Sequence, residues 1–267
     1  MNKIPDKIIK LYKGKIEIEF YEKGHKYLLV HKNGERERIK YSVTRATSVI
    51  DKSRPLMLWA VRLSLDYLRN KWLADVEIPV ITEEDFEEAS KQHMIVKEEE
   101  ANLGKQAHQW VSDYIKAKLS RKPKPAIPED NERLLNAITA FLKWEKEHKV
   151  KFLASEMIVY SKKHNYVGIM DAKAKIDGKI TCVDFKTSNG IYDEMRFQVA
   201  AYRQADTEES KDKYQSSCII RFGKDDGEFE ACELLDHKKD FEAFLNCLNL
   251  RRRTDELKEW GNTRGKG

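Results

Sequence analysis

At about residue 150 the apolar residues of this chain change their spacing, and that change limits the folds open to it. From Asn131 to His148, Leu134, Leu135, Ile138, Phe141, Leu142 and Trp144 fall in helical register, the ~3.6-residue period of one buried helix face. From Phe152 the spacing is that of strands: FLASEMIVYS, then YVGIMDAKAKID, then KITCVDFKTS, with Asp177-Gly178 as a tight turn between the last two. Short turns reverse the chain, so these three segments form an antiparallel meander. Residues 192 to 205 follow as a helix, and YQSSCIIRF with EFEACELL reads as a further hairpin around Gly223 to Gly227. Strands interrupted by helices make an α/β chain with a central mixed sheet flanked by helices.

Upstream, IEIEF and KYLLV alternate in the strand manner, and Asn33-Gly34 suits a tight turn, which predicts a small N-terminal β-hairpin. PLMLWAVRLSLDYLRNKWLA places Leu58, Val61, Leu65, Leu68 and Trp72 at helical spacing, an amphipathic helix with Pro55 in its first turn. Thr82 and Asp85 mark a helix start, and residues 97 to 119 read as one long helix carrying Glu100, Gly104, Ala107, His108, Val111 and Ile115 on one face. SRKPKPAIPED holds three of the six prolines and has the composition of a linker. The expected organisation is therefore an N-terminal β-hairpin and helical lobe over 1–120, a linker over 121–130, a core over 131–260 that includes a last helix from about His237, and a disordered tail over 261–267.

Lysines and arginines exceed acids by only five in 267 residues, a basic lean that permits a polyanionic partner without demanding one. Cys182, Cys218, Cys232 and Cys247 form no CxxC pair, which removes local support for a zinc ribbon or iron-sulfur cluster and predicts reduced thiols. The opening MNKIPDKIIKLYKGK has no apolar core, and no apolar run approaches the ~20 residues that span a bilayer. The expectation is a soluble protein of a reducing cytoplasm, without a membrane partner.

Two acids stand out in the strands. Asp171 follows the apolar VGIM although strands disfavour aspartate, and Asp184 lies thirteen positions on, with the Asp177-Gly178 turn between them. A hairpin folds them onto adjacent strands within reach of one divalent ion, and a hard ion such as magnesium takes oxygen ligands from one or two carboxylates. Lys186 shares a face with Asp184 because the strand period is two, where it can orient a water or balance charge in a phosphoryl transition state. The Phe185 side chain points the other way, leaving its backbone carbonyl as a further metal ligand. The bland alternative for Asp184 and Lys186 is a surface ion pair of little energetic worth.

GIMD, then VDFKTS, then QVAAY on a helix, with G-x-x-x-H on an upstream helix, resembles the PD-(D/E)xK nucleases, in particular the RecB-type exonuclease branch with phage and mitochondrial members. The resemblance covers roughly residues 100 to 205. It implies a restriction-endonuclease-like core, with His108, Asp171 and Asp184 as metal ligands, Lys186 as the catalytic lysine, and Glu156 as an acid at the start of the core. Gln198 and Tyr202 become the helix motif that contacts substrate or supports the lysine, with Thr187 and Ser188 on the substrate side. The function implied is magnesium-dependent hydrolysis of DNA, manganese serving too, from single-stranded or duplex ends in repair, recombination or processing, in a bacterial or phage-infected cell. The alternatives are a structure-specific endonuclease of the same superfamily and an inactive DNA-end-binding module. No Walker-type GxxxxGK[ST] is present, so no nucleotide cofactor is expected and any helicase or recombination partner is a separate chain. The basic runs at 162 to 164 and 251 to 253 are solvated faces or secondary phosphate contacts. Tyr21, Tyr27, Tyr41 and Trp59 either pack or stack on unpaired bases.

Overall fold

The computed structural model describes residues 4–74 and 81–264, with Ala74 and residues 261–264 described by backbone alone. Two compact units divide the chain: Met1–Val49 with His108–Gly267, and Ile50–Ala107. This differs from the division expected from sequence, because the N-terminal strands and the C-terminal part of the long helix belong with the core. The proline-rich segment lies wholly inside the larger unit, where the Trp110 indole donates to the Ala126 carbonyl at 2.8 Å.

The larger unit opens with four strands, β1 (Lys7–Leu11), β2 (Ile16–Tyr21), β3 (Lys26–Val30) and β4 (Arg36–Arg38), paired antiparallel in that order. The predicted hairpin is thus the β2–β3 part of a larger sheet, and Asn33-Gly34 turns β3 into β4, with Gly34 at φ +83°. KIIKL was missing from the expected strands because its lysines interrupt the apolar alternation. The sheet buries Leu11, Ile18, Phe20 and Tyr27 against Ile158, Tyr160 and Val167. A five-residue helix, α1 (Val43–Thr47), follows, capped by Ser42 accepting from the Arg45 amide at 3.1 Å.

The second sheet is the core. Its order is β5 (Lys151–Ser161), β6 (Tyr166–Ile176), β7 (Lys179–Lys186), β8 (Ser216–Phe222), β9 (Phe229–Glu233). β5, β6 and β7 form the meander predicted from the turns, β7 and β8 are parallel, and β8 and β9 are antiparallel. The sheet is therefore mixed. A parallel neighbour needs a crossover connection, supplied here by the helix α5 (Asp193–Ser210).

Apolar residues decide which helix covers which face. On one side Met195, Val199, Tyr202 and Ala205 of α5 and Phe244 and Leu248 of α6 (His237–Arg264) bury against β5–β8. On the other, Phe141 and Trp144 of α4 (Glu132–Glu147) pack edge-on to Phe185 at centroid distances of 5.9 Å each. Each large aromatic so buried contributes roughly 1.5–3 kcal/mol relative to exposure. α6 runs to Arg264, four residues into the span predicted to be a disordered tail; residues 265–267 lie outside the described residues.

The smaller unit contains α2 (Ser53–Ala74) and the N-terminal part of α3 (Glu83–Ser120), one continuous helix where the sequence suggested a start at Thr82 and a separate run from 97. Thr82 and Asp85 form the predicted cap, the Thr82 amide donating to Asp85 Oδ2 at 3.0 Å. Most of the expected apolar stripe of α2 is turned outward: Leu58, Val61, Leu65 and Trp72 are 58%, 52%, 60% and 54% exposed, while Leu68 is half-buried. The side facing α3 is instead the one on which the Ser64 hydroxyl donates to the Ala89 carbonyl at 2.8 Å.

Among the described residues, no helix is long and apolar enough to cross a membrane. All four cysteines are free.

Candidate active site

β6 and β7 pair from Ile176↔Lys179 to Ala172↔Val183 and then part. The next residues out are Asp171 and Asp184, so both acids sit where the two strands separate. β7 continues beside β8 to Lys186↔Arg221, while β6 continues beside β5 to Tyr166↔Ser161. The backbone freed by the separation finds a side-chain partner: Asp171 Oδ2 accepts the Phe185 amide at 2.8 Å. A carboxylate thus does the work of a missing ladder bond, which is why this strand tolerates an aspartate.

The side-chain alternation of β6 also changes phase here. Tyr166 donates to the Ala201 carbonyl of α5, Gly168 lies against Tyr202, and Met170 joins the α5 cluster, so the even-numbered residues face α5. Lys173 also faces α5, through Asp206 at 2.7 Å. The switch falls between Met170 and Lys173. Opposite it on β5, Glu156 sits between the pairs Ser155↔Ala172 and Met157↔Met170 with φ +52°, a left-handed conformation costly for a residue with a Cβ.

Five of the residues singled out from the sequence, His108, Glu156, Asp171, Asp184 and Lys186, lie near this point. His108 of α3 places Nδ1 3.7 Å from Asp171 Oδ2, bringing a helix some sixty positions upstream to the strand separation. Asp184 is 2% exposed, and its Oδ2 meets the Lys186 ammonium in an ion pair that leaves that oxygen without a hydrogen bond of good geometry. Burial pushes the Asp184 carboxyl up to about 6; Lys186 pulls it down, Asp171 raises it further, and His108 lowers it. For Lys186 burial is the largest influence and lowers the pKa, but Asp184 and Asp171 outweigh it and the ammonium is held above its ordinary range. Glu156 is raised by burial and then by the charge of Asp171, with His108 opposing. His108, Glu156, Asp171, Asp184 and Lys186 therefore share one electrostatic environment.

Tyr202 is 6% exposed; burial, then the charges of Asp184 and Asp171, hold its phenol well above the usual range. Its ring lies over Gly168, where an added Cβ would stand 2.5 Å from Tyr202 Cε1. Gln198 turns to α1 and donates to Thr47 Oγ1 at 3.0 Å. Thr187 and Ser188 leave the end of β7, the Ser188 hydroxyl donating to the Gly190 carbonyl at 2.8 Å. Two of the basic residues at 251 to 253 are turned inward: Arg251 approaches Asp255 at 3.6 Å, and Arg252 donates to the His164 carbonyl at 2.5 Å. These contacts favour a structural role for that run.

Sequence reasoning overlooked Thr47 and Glu194. Glu194, in the first turn of α5, is 7% exposed and raises Lys186. Acids are so common in first helical turns that nothing in the sequence separated it from a cap.

Among the described residues, no three His, Cys, Asp or Glu side chains are gathered tightly enough to enclose a metal ion by themselves. Magnesium does not require such a cage, since it keeps several waters and binds through one or two carboxylates. A buried carboxylate oxygen lacking a good hydrogen bond, beside a second carboxylate, fits that requirement. No family model matches the chain, and no curated protein matches it.

Proposed function

We propose that this protein is a divalent-metal-dependent deoxyribonuclease of the PD-(D/E)xK type that hydrolyses DNA from an end. The observation that carries this reading is the approach of His108 Nδ1 to Asp171 Oδ2, 3.7 Å, beside the buried Asp184–Lys186 pair where β6 and β7 separate. An ordinary surface ion pair has no use for a third element bringing an imidazole to it, and Asp184 is 2% exposed rather than on the surface.

In this reading Asp171 and Asp184, with His108 and the Phe185 carbonyl, hold magnesium or manganese, which supplies charge neutralisation on the scissile phosphate and acidifies a bound water. The remaining work falls to the chain. Lys186 keeps its proton, because Asp184 and Asp171 raise its pKa, and directs a positive Nζ–H at the attacking water or the phosphoryl oxygens. Glu156, raised by burial and by Asp171, stands beside the metal-facing carboxylate as a further acid. Tyr202 holds β6 and α5 together behind the acids, and Gln198 ties α5 to α1.

The test is cleavage of end-labelled single-stranded, duplex and covalently closed circular DNA, with magnesium, manganese or chelator. Metal-dependent loss of linear DNA with circles spared is the expected result, and cutting of circles would reassign the protein as an endonuclease. Cleavage in chelator, no cleavage under any condition, or undiminished cleavage by Asp184→Ala and Lys186→Ala would overturn the catalytic reading.

A further inference from the structure

Away from the carboxylates, the last turns of α5, residues 211 to 214 and the start of α6 line a cavity of about 560 Å³. One wall is Arg203. Its guanidinium donates to Ser217 Oγ at 3.2 Å and to the Tyr214 carbonyl at 2.9 Å, and its central carbon lies 5.7 Å from the Tyr214 ring centroid. None of these partners is a carboxylate. Burial accordingly holds its pKa below the ordinary guanidinium value. Other inward-placed cations are matched, Lys173 to Asp206 and Asp212, Lys186 to Asp184, and Arg45 and Arg251 to Asp255. A half-buried charge without a counter-ion is costly, and an anionic ligand removes the cost.

The two acids of the cavity are engaged elsewhere. Glu208 takes the Ser161 hydroxyl at 3.0 Å on each oxygen, and Asp212 is paired with Lys173. Lys211 and Lys213 stand exposed at the rim. His237 also lines the cavity, and its ring lies 17° from parallel with Phe241 at 6.2 Å. Burial, with Arg203 adding to it, drives the imidazole down to about 4, so it is a neutral, flat surface at pH 7, and its Nδ1 has no hydrogen-bond partner. The cavity thus combines three cations with two carboxylates and an uncharged ring, a lining with one net positive charge, and its volume falls in the range of small-molecule sites, roughly 300–1,000 Å³.

We propose that this cavity binds the phosphate of a mononucleotide-sized ligand, with Arg203, Lys211 and Lys213 on the phosphoryl oxygens and His237 beside the organic portion. The ligand is either a free mononucleotide or the phosphorylated end of a DNA strand; both present the same group. The inference is independent of the nuclease reading, since none of these residues belongs to the carboxylate site.

Calorimetric titration of the full chain in chelator tests it, with thymidine 5′-monophosphate, thymidine, and oligothymidylates with and without a 5′-phosphate. Saturable binding of the monophosphate but not of thymidine is expected. Arg203→Gln should weaken it by about tenfold or more, the size of one charge-assisted hydrogen bond. The Lys211→Gln/Lys213→Gln pair should weaken it severalfold with an unchanged unfolding midpoint, and decides the matter if Arg203→Gln does not fold. Asp184→Asn should bind as the parent does. A 5′-phosphate that tightens oligonucleotide binding beyond that of the monophosphate assigns the strand end, and equal or weaker binding assigns the free nucleotide. No saturation by about 10 mM, equal binding of thymidine, parent-like binding by the lysine pair, or loss of binding in Asp184→Asn would overturn the proposal.

Discussion

Replacing Asp184 by asparagine should abolish DNA cleavage and at the same time stabilise the fold, by an amount that depends on pH. The Asp184 carboxyl is raised from 3.8 to about 6, chiefly by burial, so the folded state binds its proton more tightly than the unfolded state. Stability contributed by that proton is fully present below about pH 4 and is lost as pH rises through about 6. At ~1.4 kcal/mol per unit, the cost of holding the ionised carboxylate in the fold at pH 7 is at most about 3 kcal/mol. Asparagine resembles the protonated acid and is free of this cost, but it also takes from the buried Lys186 its nearest counter-charge and leaves it Asp171 alone, so the net advantage lies below that ceiling. Urea unfolding of both proteins in chelator at pH 4.5, 5.5 and 7 measures the difference directly. The variant's advantage should be at most about 1 kcal/mol at pH 4.5, where the unfolded carboxyl is already mostly ionised, and grow toward pH 7; added magnesium should stabilise the parent and leave the variant unchanged. An advantage independent of pH, or a variant less stable than the parent at pH 7, would show that Lys186 already compensates the buried charge, and the reasoning from burial would fail.

Three further outcomes follow from single contacts. Lys186→Met should lower the cleavage rate by about 10²-fold or more, the usual effect of removing a group that stabilises transition-state charge; initial rates on end-labelled DNA measure it. Gly168→Ala should destabilise by ~1–3 kcal/mol through overpacking against Tyr202 Cε1 at 2.5 Å and Val43 Cγ2 at 2.9 Å, and Tyr202→Leu in the same chain should recover part of the loss in a double-mutant cycle. Lys173→Met should cost ~3–5 kcal/mol in urea unfolding, because it strips the cation from Asp206, which is 2% exposed.

The parts of the fold legible in the sequence are those set by local chemistry. The Asp177-Gly178 turn fixes β6 against β7, with Gly178 at φ +88°, and Asn131 caps α4 by accepting the Leu134 amide at 3.1 Å. The outward stripe of α2 was not legible, because spacing shows only that Leu58, Val61 and Leu65 share a face and not what that face meets. The parallel pairing of β7 with β8 was equally hidden: a helix between two strands allows a crossover, but which strand receives it depends on tertiary packing. At the site, the strand period placed Asp184 and Lys186 together, whereas the phase change at Asp171 and the left-handed Glu156 depend on a distortion shared by two strands and leave no periodic trace.

The spacing G-x-x-D followed by Q-x-x-x-Y mixes two kinds of constraint that a sequence cannot separate. Gly168 is required by packing, since a Cβ there would enter the Tyr202 ring, and Tyr202 in turn presses α5 onto β6 three residues before Asp171. Gln198 is likewise satisfied by Thr47 within the protein. Asp184, Lys186 and His108 combine proximity with an electrostatic arrangement that the fold itself does not need, Asp171 serves both that arrangement and the Phe185 amide, and burying Asp184 works against stability. Residues retained at a cost to the fold point to chemistry more strongly than residues retained because they fit. Losing Tyr202 should therefore lower stability and activity together, whereas losing Asp184 should move them in opposite directions.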